Sequence, residues 1–61
     1  MFLYHLICVD NATGEETLLM NCGIFECREY FTISELAEEL WFLAIYGEPG
    51  CHYVVERFIA L

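Results

Sequence analysis

Residues 2–9 are apolar at both alternating sets of positions, with Leu3, Ile7 and Val9 on one side, Phe2, Tyr4, Leu6 and Cys8 on the other, and only His5 interrupting. A run of β-branched, aromatic and aliphatic side chains predicts a strand. Asp10-Asn11-Ala12-Thr13-Gly14 closes it with residues that tolerate turn and left-handed geometry, so a hairpin loop follows. Residues 15–21 return as a second strand through Thr17, Leu18, Leu19 and Met20, and Cys22-Gly23 breaks it. Residues 24–30 set Ile24, Glu26, Arg28 and Tyr30 against Phe25, Cys27 and Glu29 and read as a short third strand.

The pattern changes at Thr32. Thr32-Ile33-Ser34-Glu35 fits a capping box, and Phe31 and Leu36 stand where a hydrophobic staple packs. A helix is predicted over residues 33–46. It stops at Gly47, a residue type suited to the left-handed C′ position, with Pro49 just beyond. At about 100° per residue, Ile33, Leu36, Ala37, Leu40, Leu43 and Ala44 share one stripe, which becomes the core face. Residues 51–61, with Tyr53, Val54, Val55, Phe58 and Ile59, form the last strand. The expected fold class is α+β: one domain over residues 1–61, a small antiparallel sheet in the order β-β-(β)-α-β, and one helix packed on one face.

A single helix covers a single sheet face, yet the first strand is apolar on both, where a half-wet antiparallel sheet should alternate. The second face needs another cover, and a second copy of the chain is the simplest source. The expectation is a homodimer through Phe2, Tyr4, Leu6, Tyr53 and Val55, with binding of a different partner on that face as the alternative.

Composition sharpens this. In 61 residues the chain combines a net charge of −8 with 59% hydrophobic residues. A core of this size is marginal, and a dimer would relieve it. The aromatic content of 16% and a mean hydropathy of +0.51 argue against disorder. Only Arg28 and Arg57 are basic, too few for a phosphate-binding footprint, so no direct nucleic-acid contact is expected. No membrane association is expected either: basic clusters are missing, and the uncharged runs at residues 1–9 and 40–47 fall far short of the roughly 20 residues that span a bilayer.

The N-terminus lacks a basic n-region and reads as mature strand. Cys8, Cys22, Cys27 and Cys51 then read as reduced thiols of a cytoplasmic protein. A zinc site from these cysteines with His5 and His52 would need tighter spacing than Cys22-x4-Cys27, so no metal and no cofactor are expected. His5 fits a structural role in its strand. Neither a nucleophile triad, a Gly-rich phosphate loop nor a carboxylate pair in a cleft can be assembled, and the chain is expected not to be an enzyme.

Opposite the core stripe, the helix carries Glu35, Glu38, Glu39, Phe42 and Tyr46, with Trp41 and Ile45 on the shoulder. Two readings stand. Phe42 tucks under a neighbouring loop while the glutamates complement the helix N-terminal dipole; or this is a partner-binding patch in which acids present phosphate-like charge and rings supply the anchor.

The element order, Gly14 in the first hairpin, Gly23 ending the second strand, the Thr32-Ile33-Ser34-Glu35 helix start, Phe42-x-x-x-Tyr46-Gly47 and the placing of Arg57 together resemble a known family. It is the small acidic uracil-DNA glycosylase inhibitors of Bacillus phages, dimeric DNA mimics of similar length. The likeness spans roughly two thirds of the chain, with an insertion between Gly23 and Thr32. It implies that Phe42 and Tyr46 match the family's aromatic pair. Leu43 stands where the family places an acid, so Glu38 or Glu39 would supply that charge.

The expected function is therefore that of a phage-type inhibitor which occupies the basic groove of a host DNA-binding protein, with uracil-DNA glycosylase as the implied target. An anti-CRISPR, anti-restriction or transcription-modulating inhibitor is the alternative. So is a structural dimerisation protein whose acids only maintain solubility.

Overall fold

Strand β1 (Phe2–Asp10) is the one to which the rest of the main sheet is laid, and the computed structural model describes it within residues 1–60. β5 (Cys51–Ile59) runs antiparallel along its whole length, from Phe2↔Ile59 to Asp10↔Cys51. Leu61 lies outside the described residues. Three pieces share the other edge of β1. β2 (Glu16–Leu18) pairs from Val9↔Glu16 to Ile7↔Leu18, the Leu19 amide donates to the Leu6 carbonyl at 2.8 Å, and Phe31 exchanges bonds of 2.8 and 3.0 Å with Tyr4. The order β2-β1-β5 makes β1 central. In the loop before β2, Asp10 Oδ1 accepts from the amides of Ala12 and Thr13, and Gly14 takes the left-handed φ of 75° that its lack of Cβ permits.

The expected second strand is shorter than residues 15–21, and residues 24–30 are not a strand as a whole. β3 (Asn21–Cys22) and β4 (Cys27–Arg28) form a separate two-stranded hairpin with Cys22 opposite Cys27. These two cysteines are disulfide-bonded, which corrects the expectation of four reduced thiols; Cys8 and Cys51 are free. The bond follows from the register: the turn closed by the Gly23 amide on the Glu26 carbonyl at 2.7 Å brings the two side chains face to face.

Helix α1 (Ile33–Tyr46) begins as its sequence predicts. Thr32 Oγ1 accepts from the Glu35 amide at 3.3 Å, and the Thr32 amide donates to Glu35 Oε1 at 3.0 Å. Its other end differs. Gly47 is extended, with φ −67° and ψ 158°, and is not left-handed. Glycine fits here because a Cβ would collide with the Leu43 carbonyl and come within 3.0 Å of the Tyr53 hydroxyl.

Leu6, Phe31 and Leu36 are the buried centre of the core, with Tyr4, Leu19, Leu40, Leu43 and Tyr53 packed around them. The helix stripe is thus narrower than expected: Leu36, Leu40 and Leu43 face the sheet, whereas Ile33, Ala37 and Ala44 are exposed.

The expected dimer face also needs correction. Leu6 is fully buried, and Tyr4 and Tyr53 pack on the same cluster, so these three lie beneath α1 and are not on the open face; Phe2 and Val55, of the same parity, lie on that same helix side and stay exposed. Phe31 and β5 pair antiparallel with opposite edges of β1, which makes α1 a crossover above that strand. The hand of that crossover chooses which face is covered, and a strand apolar on both faces carries no record of it. The open face presents Leu3, Ile7 and Val9 flanked by Leu18, Val54 and Phe58. Neighbouring strands shield Leu3 and Ile7, while Leu18 and Val54 stay exposed.

Candidate functional site

The capping box aims α1 so that residues one turn apart on its outer side face solvent together. Glu38 is exposed and Glu39 half-buried. Phe42 is 50% exposed and Tyr46 69%, and their rings stack at a tilt with centroids 4.9 Å apart. Among the described residues, no loop covers the exposed half of Phe42. Trp41 and Ile45 are also more than half exposed, so the outer side of this helix is as much apolar as acidic. Four of the five expected partner-binding residues, Glu38, Glu39, Phe42 and Tyr46, therefore form one accessible surface.

Glu35 behaves differently. Its carboxylate accepts from the Thr32 amide and from Arg28 Nη2 at 2.6 Å. The Thr32 amide foremost, then the Asn21 side chain, with Arg28 also contributing, hold its pKa down to about 2. Arg28 also lies 3.7 Å from Glu26 and stands over the Tyr30 ring. Glu35 is thus a clamp that ties the helix start to the β3–β4 hairpin, and its charge is already committed. Among the described residues, Glu38 and Glu39 have no cationic partner.

Between the hairpin and the helix lies an open depression of about 680 Å³, walled by Asn21 and Phe31 on one side and by Glu38, Glu39, Trp41 and Phe42 on the other. Two further residues stand out that the alternation of residues 24–30 places within a strand. Ile24 and Phe25 form the hairpin tip and are 93% and 96% exposed. The signal that could have found them is the pair Cys22 and Cys27 bracketing a four-residue segment that starts with glycine.

At the opposite end of the helix, Cys51 Sγ lies 3.4 Å from the Glu48 carbonyl oxygen, to which its thiol donates, and 3.7 Å from the Tyr53 hydroxyl. Its hydrogen bond with Cys8 raises the Cys8 thiol above its ordinary range. His5 stacks on Phe58 with centroids 4.5 Å apart, and His52 Nδ1 meets Asn11 Oδ1 at 2.6 Å. Among the described residues, no group of three or more His, Cys, Asp or Glu could hold a metal ion, and no helix is long and apolar enough to cross a membrane.

No protein-family model, curated protein or solved structure matches this chain.

Proposed function

We propose that this protein is a small acidic inhibitor that docks the outer face of α1 into the basic groove of a host DNA-binding enzyme, with uracil-DNA glycosylase as the first target to test. The observation that carries the reading is Phe42, half exposed and stacked on Tyr46, beside Glu38 and Glu39, whose carboxylates have no cationic partner among the described residues. A ring that could have been buried but faces water next to free acids suits an anchor ringed by charge. Glu38 and Glu39 would take the places of phosphates, and the net charge of −8 would steer the encounter with a cationic groove. The protein would perform no chemistry.

Uracil excision by a purified glycosylase, with and without the protein, tests the target. Suppression is expected, with about 100-fold weaker inhibition when Phe42, Glu38 and Glu39 are all replaced by alanine. Full excision at saturating wild-type protein would overturn this reading.

A second observation favours self-association through the sheet. Leu18 and Val54 flank Ile7 on the open face and are 37% and 38% exposed, so a second copy laid there would cover a continuous apolar strip. Sedimentation at micromolar concentration should show a dimer, and a monomer would refute the pairing.

A further inference from the structure

We infer that the disulfide-closed hairpin tip, Ile24 and Phe25, is a preformed wedge that enters an apolar pocket beside the basic groove of the partner. This rests on the proposed inhibition and extends its contact surface from the helix to a second element. Ile24 and Phe25 are the most exposed large apolar residues of the chain among those described, at 93% and 96%. Side chains of this size normally reduce their contact with water, and nothing in the described chain covers them.

The tip is held rigid at three levels. The Cys22–Cys27 bond closes its base, the Gly23 amide bonds the Glu26 carbonyl across it, and Arg28 pins the hairpin to Glu35 at the helix start. A loop fixed before binding loses little freedom on binding, which favours a wedge over a floppy apolar loop.

Charge selects the occupant. Glu26 flanks the tip and Glu29 follows β4, while Arg28, the one cation of the hairpin, is already shared between Glu26 and Glu35. An anionic membrane would repel this surface, and a second copy would bring the same acids against it. An apolar pocket rimmed by lysine and arginine satisfies both the apolar tip and the carboxylates. The base of the hairpin and the face around Phe42 wall the same depression, so a partner docked on the helix also meets the hairpin.

The test measures inhibition of uracil excision by the wild type, by Ile24→Ser with Phe25→Ser, and by Cys22→Ser with Cys27→Ser, each checked for fold by circular dichroism. The tip variant should keep its fold and lose about 100-fold in inhibition, and the variant without the disulfide, its tip intact but unlocked, about tenfold. Wild-type potency in a folded tip variant, alongside weakening by Phe42→Ala, would overturn the wedge and leave the helix reading standing. An inactive wild type would overturn both. Tip-dependent binding to phosphatidylserine vesicles, or a tip-dependent dimer in sedimentation, would assign the tip to a different occupant and overturn the wedge as stated.

Discussion

The β1–β5 ladder and the β3–β4 hairpin are both antiparallel pairs, yet they are held together by different forces. Strands β1 and β5 pair over nine residues each, and Leu6, at the middle of β1, is sealed between Phe31 and Leu36. Apolar burial with a full backbone ladder supports that region. The hairpin pairs only Asn21 with Arg28 and Cys22 with Cys27, buries neither of its tip residues, and relies on one covalent bond, one turn hydrogen bond and the ion pairs of Arg28 with Glu26 and Glu35. A chain of 61 residues has too little apolar surface to build a core in two places. Where the core runs out, a staple and a clamp keep the shape, and the apolar residues thereby released are free to face a partner.

The sharpest way to break this contrast is Leu6→Ala. Removing a fully buried leucine should cost about 3 kcal/mol, enough to leave so small a domain largely unfolded, as thermal melting followed by circular dichroism would show. Replacing Cys22 and Cys27 together by serine should cost about 2 kcal/mol, the loop entropy of a short crosslink. A thiol reductant should lower the wild-type melting point by a similar amount and leave that of the serine variant unchanged. If both variants cost the same, the two regions form one cooperative unit and the contrast between them is lost.

The smallest effect concerns the clamp. The Glu35 pKa is depressed from 4.5 to about 2, so its stabilisation is fully present above about pH 4.5 and is lost as pH falls toward 2. The Glu35 side chain is 35% exposed, so solvent screening keeps the change under about 1 kcal/mol. Glu35→Gln should flatten the stability profile of the wild type across that window, measured as the denaturant midpoint against pH.

Local signals were the legible ones. The capping box fixed the start of α1 at Ile33, and the apolar runs located β1 and β5, because neighbouring residues alone determine these features. The acid and aromatic positions on the outer side of the helix were legible for the same reason. The commitment of Glu35 is not legible from helix periodicity, which groups it with the outward acids, since Arg28, seven residues back, reaches it only once the hairpin folds against the helix. The alternation of residues 24–30 suggested a strand, but the register set by Cys22 and Cys27 turns that segment into a tip.

The sequence by itself determined that β1 has two apolar faces, that one helix would cover one of them, and that the acids of α1 gather around Phe42. These follow from periods of two and of about 3.6 residues, which are properties of the local backbone. Only the tertiary structure decided that Tyr4, Leu6 and Tyr53 lie under the helix while Leu3, Ile7 and Val54 line the open side. That choice depends on the hand of the connection from Phe31 across β1 to β5, which is a relation between distant segments. The tertiary structure alone also lifted Ile24 and Phe25 clear of any core, because the crosslinked turn directs them away from the sheet that their apolar character would otherwise join.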